Sequence, residues 1–437
     1  MKTIPRHRFC GSAEHDVSRR TFLGHLGVGA TALMTGTGSA HAFDQDLLNS
    51  ALKRRGKNVI LLWLAGGPSQ LETWDPKPGA ATGGPFAAIP TSVPGVHISE
   101  LMPNLANRMD DICLIRSLNT RNADHGGGSR LMMRGRMDEP SLGYPDLGAI
   151  VAKELGRANS QVPDYVSFYS STEGQKFSNL TPAFLGARFA PVRLSDSMVP
   201  PNLDRLDSID ELDHSDRAEL RRLMAQRFEA SRATPQVKSH GSAFARVHGM
   251  MSSQKLFAFE DEPQSVKDEY GPTLFGQQAL VARRLVESGV PFVRVARAWW
   301  DSHGQNFETH LELVPELDRV MSALLVDLKR RGLLESTLVI AMGEFGRTPK
   351  INPSLGRDHF ASAWSVAMAG CGVQGGAVYG RTSADGMEVV DGEVGAGDLF
   401  ATILTALGID PHKEYFVGSR PIPLVNPGHG PVTPVLA

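Results

Sequence analysis

Acids and histidines recur in this chain in short pairs, set among glycines and bulky apolar residues. Trp299-Trp300-Asp301-Ser302-His303-Gly304 places a carboxylate and an imidazole close together. A hard oxygen beside an imidazole suits a divalent cation, and the tandem tryptophans would keep water out of such a site. Gly343-Glu344-Phe345-Gly346-Arg347-Thr348-Pro349 puts a carboxylate and a guanidinium on one glycine turn. Together they can serve a cation and an anionic ester, or simply pin the loop as an internal ion pair. Gly356-Arg357-Asp358-His359-Phe360 offers His359 as a ligand and Asp358 as a ligand or as the group that orients it. Asp124-His125, followed by three glycines, is another acid–histidine pair, equally readable as a solvated loop. The last string runs from Gly66 to Asp75. Its double glycine allows backbone N–H groups close to an anion, Ser69 and Thr73 bring hydroxyls, and Glu72 and Asp75 bring carboxylates. A plain Gly-Pro turn reads the same way.

These strings follow, or in one case precede, segments that read as buried strands. Residues 58–65, 290–295, 337–342 and 365–369 are apolar runs of the kind buried on both faces of a sheet. Helical spacing alternates with them. Leu220, Leu223, Met224 and Phe228 share one helix face, Val314 to Leu328 supply another, and Leu399 to Leu407 form a shorter apolar helix. Alternating strands and helices predict an α/β fold with a central, mostly parallel sheet flanked by helices on both faces. Ligands in such sheets bind at the carboxyl ends of the strands, where the acids and histidines fall. Residues 173–211, rich in Pro, Ser, Asp and Asn, read as loops inserted in a single domain over 43–437.

The first 42 residues read differently. Ser18-Arg19-Arg20-Thr21-Phe22-Leu23, a short Gly/Ala-rich apolar stretch to Met34, and Ala40-His41-Ala42 have the order of a twin-arginine export signal with its cleavage site. The apolar stretch falls short of the ~20 residues a membrane span needs, and no later segment approaches one. Cleavage would remove five Lys/Arg and two Asp/Glu, taking the formal charge from −2 to −5. Mild acidity of this kind argues against nucleic acid as the main partner. Cys10 leaves with the signal; Cys113 and Cys371 could form one disulfide in an oxidising compartment, but both sit in apolar stretches that read rather as buried small hydrophobes. The mature protein is expected in the periplasm or outside the cell.

The strings together resemble the family called domain of unknown function 1501. The matching pieces are Leu-Ala-Gly-Gly-Pro-Ser at 64–69, Ala-Asp-His-Gly at 123–126, Ala-Arg-Arg-Leu-Val-Glu at 282–287 and Trp-Asp-Ser-His at 300–303. Gly-Glu-Phe-Gly-Arg-Thr-Pro at 343–349, Gly-Arg-Asp-His at 356–359 and the run from Asp398 to Pro411 complete them. That family is similar to the sulfatase and alkaline phosphatase superfamily, whose enzymes hold one or two metals at the carboxyl edge of a mixed sheet. The resemblance implies that Ser69 lies near the nucleophile region, that Asp301 and His303 match the middle ligand pair, and that His359 matches the last histidine ligand. The chain departs from the superfamily at Ala65-Gly66, where its first-strand aspartate is absent, and at Glu344-Phe345, where an Asp-His pair is usual. The family usually carries Ser-His and an Asp where this chain has Ser69-Gln70 and Glu72. Neither remaining cysteine has the neighbours of a formylglycine motif.

The expectation is therefore an exported hydrolase of a phosphate or sulfate ester, small or polymeric, using zinc, manganese or calcium. Its ligands would be Glu72, Asp301, His303, Glu344 and His359, with Ser69 or water as nucleophile and Arg347 on the anion. Asp75, Asp124, His125, Arg357 and Asp358 stand as further candidates. The alternative is a protein that binds a ligand or polysaccharide without catalysis, having kept the fold and lost part of the metal site. For export, replacing Arg19 and Arg20 by lysine should leave the uncleaved precursor in the cytoplasm, read by fractionation and immunoblotting. Normal export of that double variant would show that the arginine pair is not what the export route reads.

Overall fold

Asn58–Leu64 (β1) is apolar after its first residue, and all seven residues are buried. Its side chains alternate between two cores: Ile60, Leu62 and Leu64 on one face, Val59, Leu61 and Trp63 on the other. Two-sided burial requires helices over both faces, and the computed structural model has them. It describes residues 56–157, 162–169, 180–194, 198–200, 206–232 and 254–437, with isolated positions between 234 and 251. Residues 1–42, read above as an export signal, lie outside these. Arg54–Ala437 forms one compact unit.

Around β1 the sheet is completed by Ile112–Leu118 (β2), Tyr165–Phe168 (β3), Val192–Leu194 (β4), Phe292–Arg297 (β5), Thr337–Met342 (β6), Trp364–Gly370 (β7) and Val378–Tyr379 (β8). Their spatial order is β8-β2-β7-β6-β1-β5-β3-β4. Every neighbouring pair is parallel except the two that β7 makes with β2 and β6. The reversal of β7 matters for function. The carboxyl ends of β1, β2, β5 and β6 lie on one edge, and the residues that precede β7 return to that same edge.

His125–Arg134 (α1), Leu147–Leu155 (α2), Glu211–Ser231 (α3), Leu274–Glu287 (α4), Asn306–Arg330 (α5) and Ala396–Ala406 (α6) are the main helices. Helices α4 and α5 pack on the face of Ile60 and Leu62, and α1, α2 and α6 on the face of Leu61 and Trp63. The helix α3 forms where the spacing indicates, yet Leu220, Leu223, Met224 and Phe228 are all exposed. The stretch 173–211 is not loop throughout: Val192–Leu194 adds an edge strand beside β3. Cys113 and Cys371 are buried free thiols. Among the described residues, no helix is long and apolar enough to cross a membrane.

One helix is tied to the β1 edge by a buried imidazole. His310 of α5 accepts a hydrogen bond from the Ser69 backbone N–H at 2.9 Å through Nε2 and donates through Nδ1 to the Asn306 carbonyl at 2.8 Å. Complete burial disfavours its charged form and lowers its pKa from 6.5 to about 4. The unfolded chain therefore takes up a proton here before the folded one does, and folding stability falls as pH drops from about 6.5 towards about 4. The loss attributable to this ring is on the order of 3 kcal/mol. His310→Gln keeps an acceptor but cannot titrate, so its stability relative to wild type should improve progressively over that pH interval in denaturant titrations. Parallel pH profiles for the two proteins would refute this assignment.

Candidate metal centre

Beyond β1 the chain turns on Gly66 and Gly67, both with positive φ (110° and 82°). A Cβ on Gly66 would stand 2.4 Å from the Asp301 backbone nitrogen, and one on Gly67 would stand 2.6 Å from the Phe345 carbonyl oxygen. The two glycines thus let the loops after β5 and β6 close against the loop after β1. At this junction the side chains of His125, Asp301, His303 and His359 converge. Asp301 Oδ1 lies 3.1 Å from Nε2 of His303 and 3.1 Å from Nε2 of His359. Its Oδ2 lies 3.2 Å from Nε2 of His125, and the Nε2 atoms of His303 and His359 are 3.0 Å apart. Beneath them the fully buried Phe345 ring packs on His359, centroids 4.3 Å apart, and on His125 at 5.1 Å.

The far side of each imidazole is fixed. Nδ1 of His125 meets Glu344 Oε1 at 2.7 Å, Nδ1 of His303 meets Asp358 Oδ1 at 2.8 Å, and Nδ1 of His359 meets the Ala123 carbonyl at 2.8 Å. Carboxylate and carbonyl oxygens only accept, so these partners assign the hydrogen to Nδ1 in all three rings. Each Nε2 is left with either a lone pair or a second proton. Two lone pairs cannot face one another at 3.0 Å without a cation between or beside them. At the other carboxylate oxygen, Asp301 Oδ2, His125 carries a positive charge in the protein alone. Burial opposes it, but the bonds to Asp301 and Glu344 outweigh burial and raise its pKa to about 9. Asp301 shows the complement. Burial alone would raise its pKa, while His125, His359 and Arg347 hold it far below the carboxylate range.

The donor set fits a divalent cation. Ligand atoms at about 2.0–2.2 Å from one tetrahedral ion stand ~3.3 Å from each other. Asp301 meets all three histidines, and His303 meets His359, at 3.0–3.2 Å; one ligand atom each from His125, Asp301 and His359 lie within 4.8 Å of one another, and His303 borders that trio through Asp301 and His359. Tying the outer imidazole nitrogen to a carboxylate or carbonyl is also how metal-bound histidines are generally oriented. Asp301, His303 and Asp358 are about half exposed at the side chain, so the centre opens to solvent.

The other candidates are placed as follows. Glu344 is fully buried and stands behind His125, with Oε1 also accepting from the Gly66 N–H at 2.9 Å. Asp358 stands behind His303. Glu72 is displaced from the centre: both its oxygens are taken by the buried Arg357 guanidinium, at 2.7 and 3.0 Å. Ser69 is fully buried: His310 holds its backbone N–H, and its hydroxyl oxygen accepts from the Leu71 N–H at 3.3 Å. Arg347 also differs from its expected role. It is fully buried and its N–H groups go to the carbonyls of Gly66, Gly67 and Arg357 and to Asp301, leaving it no free fork for an anion. Asp75 pairs with Lys77 at 3.0 Å and bonds Thr382, and Asp124 caps α1 by accepting from Gly127 N–H at 2.7 Å. Two participants carry little signal in the sequence: His125 follows β2, a strand whose apolar run is interrupted by Arg116 and Ser117, and His310 sits in the second turn of α5 with no local motif to mark it.

A sulfatase from Pseudoalteromonas is similar at 14% identity, over 83% of this chain and 72% of its own, with a TM-score of 0.39. The alkaline phosphatase of the Antarctic bacterium TAB5 is 14% identical over 81% of this chain and 98% of its own, with a TM-score of 0.37. A protein in the alkaline phosphatase superfamily from Vibrio parahaemolyticus is 13% identical over 81% of this chain and 67% of its own, with a TM-score of 0.36. No curated protein matches the chain. The model of the family described as protein of unknown function (DUF1501) matches residues 56–436, and the chain belongs to that family.

Proposed function

We propose that this protein is a divalent-metal-dependent hydrolase of an anionic ester, phosphate or sulfate, exported by the twin-arginine signal at residues 1–42. The observation that carries the reading is the set of three imidazoles whose Nδ1 atoms are tied back and whose Nε2 atoms gather around one carboxylate. His125, His303, His359 and Asp301 would hold the cation. Three nitrogens and one carboxylate suit zinc or manganese better than calcium, which prefers an all-oxygen shell. A cation bound there would polarise an ester oxygen and make a bound water more acidic.

The chain's own residues do the rest. Glu344, Asp358 and the Ala123 carbonyl hold the ring orientations, so no reorganisation is needed when the cation arrives. Phe345 closes the floor and keeps water from beneath the rings. None of the converging side chains carries a hydroxyl, and Ser69 is sealed, so solvent is the nucleophile. The half-exposed mouth admits the ester of a polymer as readily as a small one.

Protein purified from the exported fraction should carry zinc or manganese by elemental analysis and hydrolyse 4-nitrophenyl phosphate or sulfate. His359→Ala should lose both, and Asp358→Asn should weaken metal affinity about 10–100-fold. Wild-type protein that retains neither metal after reconstitution would overturn the reading, and metal without hydrolysis would favour a binding protein. Acidity gives a second check. The second proton of His125 stays on up to about pH 9 in the cation-free centre, so a metal must displace it. Apparent metal affinity should fall about tenfold per pH unit below that value when one proton is exchanged. A flat response between pH 6 and 8 would remove His125 from the ligand set.

A further inference from the structure

With Arg347 and Arg357 fully spent inside the protein, the proposed reaction still needs a cation for the ester's non-bridging oxygens. We infer that Arg130, on α1, is the anion-holding residue of this centre, an inference that rests on the hydrolase reading above. Arg130 lies four residues after Gly126, one turn along the same helix face, and long helical side chains lean towards the N-terminus. Its guanidinium does so: Nη1 and Nη2 lie 3.6 and 4.0 Å from the position a Cβ would take on Gly126, the residue next to His125. The head group therefore rests over the turn that delivers His125 to the metal centre.

The guanidinium is also uncommitted. Among the described residues the Arg130 side chain makes no hydrogen bond and no ion pair, although the residue is partly buried. Other arginines at this edge are spoken for. Arg347 and Arg357 bind carbonyls and carboxylates in the interior, and Arg121 pairs with Glu393 at 3.1 Å. Asp124 also lies beside Gly126, but its carboxylate caps the helix and forms no ion pair with Arg130. A partly buried guanidinium without a partner is the costly state, and a phosphate or sulfate group matches its fork of donors. The ligand class is thus a tetrahedral oxyanion, bound with one part at the metal and another at Arg130. In this arrangement Arg130 touches substrate and no metal ligand.

Isothermal titration of inorganic phosphate and sulfate into the zinc- or manganese-loaded protein tests this. Arg130→Gln should weaken oxyanion binding about 10–100-fold, the loss of a charge-assisted pair, while metal content and metal affinity stay at wild-type values. Arg130→Lys should restore part of the loss. Unchanged oxyanion affinity in Arg130→Gln, or wild-type protein that binds neither anion, would overturn the inference. Metal content, measured on the same samples, reports separately on the hydrolase reading, so the two can fail independently.

Discussion

The Arg347 guanidinium is the constraint on which the candidate metal centre depends. It is wholly buried, and its donors join the carbonyls of Gly66 and Gly67 after β1, the carbonyl of Arg357 before β7, and the carboxylate of Asp301 after β5. A buried cation with any of these partners removed is expensive, on the order of 3–5 kcal/mol for a broken buried pair. The loops cannot drift apart singly, because each would leave donors of the same group unsatisfied. Arg357 repeats the device one layer away, joining Glu72 to the carbonyls of Thr82, Thr348 and Pro349. Two interior guanidiniums thus do for the loops what hydrogen-bonded ladders do for the strands.

This division of labour explains what could be read from the residues. Strands β1, β5, β6 and β7 were legible because burial on both faces demands uninterrupted apolar runs. Asp301, His303 and His359 were legible as chemistry-bearing residues because they adjoin those runs. The strand β2 was hidden by Arg116 and Ser117, and with it the significance of His125 at the start of the following helix. Arg347 and Glu72 were legible by type but not by role. Whether a guanidinium faces solvent or spends its donors on carbonyls depends on loop geometry that no spacing encodes. Ser69 illustrates the same gap, since it is buried with its backbone N–H bonded to His310, 241 positions away.

The reversed strand β7 completes the arrangement. A parallel strand in that place would send the residues before it to the amino edge, away from the other ligands. Running the other way, it delivers Asp358 and His359 to the carboxyl edge in a short hairpin against Gly346 and Arg347. The shape of the site is therefore a property of sheet topology as much as of the loops.

The separations along the chain carry one more consequence. His125 and Asp301 are 176 positions apart, and Asp301 and His359 a further 58. Local structure alone cannot bring such distant points together, and the entropy of closing those loops is met by the sheet before any ion arrives. A cation held by these side chains would therefore mark finished folding: a nascent chain that has not yet made residue 359 has no complete set of candidate ligands, and a chain that unfolds would release any ion it held. In a mixed population, the amount of tightly held metal would count the native molecules.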